Sequence, residues 1–397
     1  MKKFLSILLC LMLLMSSAAL AETTLNGGED RHISIEEADP NDPIDGVSPV
    51  TGRYLDDVAA QYWQNGFTGQ AKTGRYLPVL VQIDNSDGGI GYNSDGKVTG
   101  YRAPWGVEYA DVIYEAPLYR DGVTRLTFLF SDVIPSAVGP CRSARLFHAW
   151  LREEWDCCFA YYGQQEYTAT NVNAEFKALG AVEKGILFPG TVAEMDSNPW
   201  KQYYEDYNEL HDVVKPHHIS ANVAAMSTLI PASFEPANHT WLFTDEEMDG
   251  DDAEDIYVNW GVGGNRMYNS ILEWNEDDEC YERYMLNANS KGKETLYASQ
   301  RRFGFNPETP VTFNNIIVQF TKMEWARVDA PVPTVLGEGN ADYFMNGKHM
   351  SGVWQRKDMT SRTVFYDEEG EEIKLQRGRT LIIVMDYESD NRSVSYE

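Results

Sequence analysis

The sequence predicts an α+β protein, with a mixed α/β N-terminal domain followed by a mainly antiparallel β C-terminal domain. Three observations lead there. The chain has 397 residues, 43% apolar and 24% charged, an ordinary globular composition of a length that suits about two domains. Up to about residue 230, short apolar runs rich in β-formers alternate with stretches of helical spacing. Beyond the acidic stretch Asp245 to Asp255, the chain reads almost wholly as strands divided by turn signals.

The N-terminus comes first. Lys2 and Lys3, the apolar run Phe4 to Met15, and the small-residue site Ala19-Leu20-Ala21 form the three parts of a secretory leader. The run is shorter than the roughly 20 residues a bilayer span requires. Residues 1–21 are therefore read as a signal peptide cleaved after Ala21, and the product as exported with no transmembrane segment. Cys10 lies inside the apolar run and follows Leu9, so simple secretion is expected rather than lipid anchoring. Residues 22–47 are polar and acidic without a hydrophobic period, and are expected to form a flexible tether.

The N-terminal domain is placed at residues 48–235. Leu77 to Ile83, Ala110 to Pro117 and Thr124 to Phe130 read as strands, with Asp121-Gly122 turning between the last two. Ser143 to Glu154 switches to helical spacing, with Ala144, Phe147 and Leu151 on one face and Ser143 as the expected cap. Cys157 to Tyr162 reads as strand, and Val172 to Leu179 and Ala221 to Leu229 as helices. Residues 236–256 are read as an acidic linker or insertion, and 257–397 as the C-terminal domain. In that domain Asn314 to Thr321 is a buried strand candidate, Asn346-Gly347 a hairpin turn, and Thr380 to Met385 a late strand.

Charge narrows the function classes. There are 61 Asp+Glu against 33 Lys+Arg, a formal net charge of -28. Such a surface repels phosphate backbones, so no nucleic-acid partner is expected. Cys141, Cys157, Cys158 and Cys280 lack C-x-x-C spacing, and the acidic stretch matches a calcium loop only in part, with Ile256 where the closing Glu belongs. No metal and no cofactor are expected.

Several segments, in order, carry a family resemblance. They are Pro78-Val79-Leu80-Val81-Gln82-Ile83-Asp84-Asn85, Ala110-Asp111-Val112-Ile113-Tyr114-Glu115, Val138-Gly139-Pro140-Cys141-Arg142-Ser143-Ala144-Arg145, Pro216-His217-His218-Ile219 and Asn315-Ile316-Ile317-Val318-Gln319-Phe320. Together with Gly352 to Lys357 and Arg362 to Asp367, they resemble the YerB-like putative lipoproteins, a family of paired N- and C-terminal domains of unknown function. The resemblance implies a two-domain envelope protein. It supplies no reaction.

The residues suggest two chemistries. Arg120, Arg125, Arg142 and Arg145 cluster in an otherwise acidic chain, at a hairpin and a strand-to-helix turn. Guanidinium forks suit carboxylates and phosphates, and the helix start adds Ser143 and backbone donors. Arg125, Arg142, Ser143, Arg145 and His217 are the candidate ligand-binding residues, for an anionic cell-wall glycan or peptide or another envelope protein. The plainer alternative is internal pairing with Asp84, Asp111, Glu115 or Asp121. The second chemistry is a glycan-active hydrolase with Asp84 and Glu115 as paired carboxylates, which demands a defined separation and one raised pKa. No complete catalytic motif is present, so a non-catalytic binding role is the leading expectation. Trp105, Trp150, Trp155, Trp200 and Trp354 are the aromatic candidates for ligand stacking, or else core.

Overall fold

The computed structural model describes residues 22–25, 27–35, 41–63, 66–85, 104–120, 122–190, 198–208, 215–237, 239–261, 268–286, 293–296, 310–389 and 391–397. Residues 1–21, where the leader is expected, and Asp121 lie outside the described residues. None of the described helices is long and apolar enough to cross a membrane.

The centre is an eleven-stranded mixed sheet. Its order runs Asp251–Asp252, Lys348–Arg356, Gly337–Met345, Asn315–Thr321, Thr380–Asp386, Val112–Pro117, Thr124–Phe130, Val79–Asp84, Cys158–Tyr161, Leu187–Pro189, with Val364–Tyr366 added beside Lys348–Arg356. The central strands are buried on both faces, which is why they read as unbroken apolar runs such as Leu381-Ile382-Ile383-Val384. The Asn346-Gly347 turn forms as expected, with both residues at positive φ of 54° and 69°.

The two sequence halves share this sheet instead of each closing a core of its own. Thr380–Asp386 pairs in parallel with Val112–Pro117, Leu381 opposite Ile113 and Ile382 opposite Tyr114. The fold is β-rich, with helices confined to short segments.

A second, seven-stranded sheet, including Asp255–Asn259, Ser270–Asn275, Cys280–Leu286 and Ser393–Tyr396, covers one face. Val81, Ile83, Ile113 and Phe128 pack there with Ile256, Leu272, Tyr281 and Val394. The helices Leu146–Trp155 and Val172–Ala178 cover the opposite face, where Phe147, Leu151, Trp155 and Phe176 meet Leu80, Tyr114, Leu129 and Ile382. A buried ion pair ties the helix to the C-terminal half: Arg356 Nη1 lies 3.0 Å from Glu154 Oε2. Arg356 also donates to the Trp150 carbonyl at 3.1 Å.

Several expectations are corrected. The helix predicted from Ser143 begins at Leu146, with Arg145 in the cap position, because Ala144 is still extended and bridged to Gln164. The helices expected at 172–179 and 221–229 form as Val172–Ala178 and Val223–Ser227, started by the Asn171 and Asn222 side chains. The tether is docked in part. Thr23–Thr24 adds antiparallel to Ser393–Tyr396, and Arg31 pairs with the buried Asp342 at 2.9 Å. The acidic stretch is also held: Asp251–Asp252 pairs with His349 and Lys348, and Asp245 meets Arg377 at 2.7 Å. The four described cysteines are buried and unpaired. Trp105, Trp155 and Trp354 are core residues, while Trp150 and Trp200 are half-buried.

Candidate functional site

The expected arginines gather at one end of the central sheet, on its helix-covered face. Asp84 closes strand Val79–Asp84, and Arg125 stands opposite it on Thr124–Phe130. Segment 139–145 follows along the other edge of the Asp84 strand: Asp84 N donates to Pro140 O and Arg142 N to Gln82 O. The chain then turns into helix Leu146–Trp155. Three arginines thus converge from one strand and one turn, and Pro216-His217 comes in from a distant segment.

They divide into two groups. In the first, buried Asp84 is the hub. Arg142 Nε lies 3.0 Å from Asp84 Oδ2, and His217 Nδ1 bonds the same oxygen. Burial by itself would raise the Asp84 carboxyl. The His217 hydrogen bond and the charges of Arg142 and Arg125 outweigh it and hold the carboxyl below the usual carboxylate range. His218 turns the other way, 3.6 Å from Asp206.

The second group is Arg125, Arg145 and His148. Arg125 is 4% exposed and Arg145 9%. Neither has a carboxylate within ion-pair distance among the described residues. Both instead donate through Nη1 to the Ser143 carbonyl, at 2.5 and 3.4 Å, and Arg145 also to the Ala144 carbonyl at 3.1 Å. The Nε of each is buried without a hydrogen-bond partner. Burial, and then the neighbouring Arg145 charge, pull Arg125 down to about 9. Burial also lowers Arg145, with Tyr119 and Asp329 opposing. His148 is kept well below the histidine range by burial and then by the two arginine charges, and is neutral. Its Nδ1 accepts the Arg145 backbone N–H at 2.9 Å, so its proton is on Nε2.

These three residues line a narrow crevice that continues over Phe147, Leu118, Met323 and the prolines Pro331 and Pro333. The last three belong to a hairpin, Met323–Arg327 with Ala330–Pro333, that pairs with no other strand among the described residues. Its tip rests on the N-terminal half. Arg120 N donates to Val328 O, Gln165 Nε2 to Asp329 O, and Tyr167 OH to Asp329 Oδ2, each at 3.0 Å. Composition carried no signal for this roof or for His148. Helical spacing had placed His148 only as a member of the helix.

Each sequence candidate can now be placed. Arg125 and Arg145 come together with buried, unpartnered donors. Arg142 and His217 are brought to Asp84. Ser143 contributes its carbonyl to the arginines, while its hydroxyl donates to Tyr162 O at 3.3 Å. Exposed Arg120 lies over Trp325, 5.7 Å from the ring centre. Asp111 serves the main chain, accepting from Ser131 N at 2.6 Å and Asp132 N at 3.0 Å.

The paired carboxylates are not brought together. Ala116, Arg125 and Asp84 lie in one cross-strand row, and Glu115, Leu126 and Ile83 in the next. Successive residues of a strand face opposite sides, so Asp84 and Glu115 point away from each other across the sheet. Glu115 is held on the far face by Thr124 at 2.7 Å, Asn85 at 3.2 Å and Arg283 at 2.5 Å. Two carboxyls separated by a sheet cannot flank one glycosidic bond.

Comparison with known proteins agrees with this architecture. Residues 67–220 match the model of the protein of unknown function (DUF3048) N-terminal domain, and residues 258–382 match that of its C-terminal domain. The chain belongs to this family. The YerB protein from Bacillus subtilis has a similar fold, with a TM-score of 0.60 at 19% identity, covering 88% of this chain and 99% of that one. No curated protein matches the chain. In this DUF3048 member both matched segments contribute strands to the eleven-stranded sheet, and the arginine crevice lies where the C-terminal hairpin roofs the N-terminal helix.

Proposed function

We propose that this protein is an exported, non-catalytic binding module of the cell envelope. It holds an anionic group of a wall component or a partner protein in the crevice between Arg125 and Arg145. One observation carries the reading: two buried guanidiniums share a crevice with no carboxylate in ion-pair distance among the described residues, and with their Nε donors unpartnered. An unpaired buried cation costs free energy, and an anion in the crevice offsets that cost. The neutral His148 adds no competing charge, and the leader-like N-terminus supports the envelope setting.

The test is thermal unfolding of residues 22–397 with increasing sodium acetate or phosphate, at ionic strength held constant with chloride. Binding to the folded state alone raises stability with the logarithm of anion concentration. A saturable rise in Tm is expected with at least one of the two anions. It should vanish in Arg145→Met and persist in Arg120→Ala, whose arginine is outside the crevice. No saturable rise, or the same rise in Arg145→Met, overturns the reading.

A further inference from the structure

The anion reading leaves open which anion the arginines hold, and the size of the crevice bears on that. We propose that the crevice between Arg125 and Arg145 is a halide site, taking chloride in ordinary salt solution. The proposal rests on the anion reading of these two arginines and names a monatomic ion as their resident partner. An anionic group of a larger molecule then reaches the arginines only in competition with chloride.

The donors come first. Arg125 and Arg145 both donate through Nη1 to the Ser143 carbonyl, at 2.5 and 3.4 Å, so their guanidiniums are held side by side. The Nε of each is buried without a hydrogen-bond partner, and neither arginine has a carboxylate within ion-pair distance among the described residues. His148, the third polar residue of the crevice, is neutral with its proton on Nε2, so it brings a donor and no competing charge. Two like charges held together inside a protein repel strongly, because little solvent screens them. One negative charge between them turns that repulsion into two attractions.

The room comes second. Leu118, Phe147 and Met323 are buried and close in the crevice together with Pro331 and Pro333. The space left beside the arginines admits about one water-sized particle. A carboxylate or a phosphate has to seat a central atom, two or more oxygens and a substituent or further proton. A chloride ion is a sphere only slightly larger than a water molecule, and it accepts N–H groups from any direction. It therefore suits donors set by two different elements, a strand and a helix start, without the in-plane geometry that a carboxylate demands. A water molecule also fits, but it leaves both buried charges uncompensated. The apolar walls and the hairpin roof keep bulk solvent away, which strengthens the attraction.

The test is thermal unfolding of residues 22–397 in sodium methanesulfonate, whose anion has a far larger head, with chloride or bromide exchanged in at constant ionic strength. Binding to the folded state alone should raise Tm by about 2 °C for each tenfold rise in chloride above its dissociation constant. Bromide should act likewise, and a crystal grown in bromide should place its anomalous signal between Arg125 and Arg145. The rise in Tm should persist in Arg120→Ala and vanish in Arg145→Met. Without halide, Arg145→Met should be at least as stable as the parent, because it removes a buried charge that lacks its counter-ion. Arg145→Lys, which keeps the charge with fewer donors, should show a weakened rise and serves if the methionine variant is poorly folded. No halide dependence, with a saturable rise on exchanging in acetate or phosphate instead, overturns the halide site and leaves the anion reading standing. An undiminished halide dependence in Arg145→Met, or bromide bound only elsewhere, also overturns the halide site. No dependence on any of the four anions overturns both.

Discussion

Arg125 and Arg145 donate to the same carbonyl oxygen, that of Ser143, from a strand and from a helix start. Two like charges are thereby held together inside the protein by a neutral acceptor. The nearest carboxylate hub, Asp84, is closed by Arg142 and His217. The arrangement is held by the rest of the fold, and on the proposed reading an anion is the partner it takes.

Asp84 is expected to govern the acid limb of stability. Its carboxyl is held below the usual range, because the His217 hydrogen bond and the arginine charges outweigh burial. The contribution of such a group is fully present above the unfolded carboxylate pKa of about 3.9 and is lost as pH falls through the lower folded value. Asp84→Asn leaves Arg142 without its counter-charge and should cost about 3 kcal/mol at pH 7. Denaturant melts from pH 7 to pH 2 check this. The gap between variant and parent should narrow below about pH 4, and a gap constant across that range contradicts the assignment.

The shared sheet predicts that the halves do not fold apart. Expressed alone, residues 48–235 lose strand Thr380–Asp386 beside Val112–Pro117, exposing an apolar parallel edge. They also lose Arg356, which leaves Glu154 buried and unpaired. The fragment should lack dispersed amide resonances or aggregate, and the intact chain should melt in one transition. A well-dispersed spectrum from the fragment refutes this.

Arg31 should act as the clip of the N-terminal arm. It reaches the buried Asp342 at 2.9 Å, beside His349 at 2.8 Å and Ser351 at 3.0 Å, and its Nη1 donates to Gly352 O at 2.9 Å. Arg31→Ala should cost about 1–3 kcal/mol, since the arginine is partly exposed and Asp342 keeps two partners. Limited proteolysis followed by mass spectrometry should show residues 22–35 cleaved much faster in the variant while the core stays intact. Equal cleavage rates mean that the short pairing of Thr23–Thr24 suffices to hold the arm.

Local signals in the sequence were enough to locate most strands and the principal helix. Thr124–Phe130 forms over the predicted bounds, and Asn346-Gly347 makes its turn, because β-formers and a positive-φ pair act within a few residues. The arginines at a strand-to-helix turn were visible in the same way, as chemistry placed by the chain itself. The helix start was misplaced by three residues, since a cross-chain bridge at Ala144 outcompetes the Ser143 cap.

What tertiary structure alone decided is which of those residues have partners. Asp84 and His217 are 133 residues apart in sequence, and nothing local brings them together. Arg142 is neutralised because its segment runs along the Asp84 strand, while Arg145, three residues on, passes beneath a hairpin from the other half. Strand register, not composition, set Asp84 and Glu115 on opposite faces and removed the paired-carboxylate chemistry. Residue type determines what a side chain is able to bind. Burial and pairing arise from contacts between distant segments, and these determine whether its donors remain open.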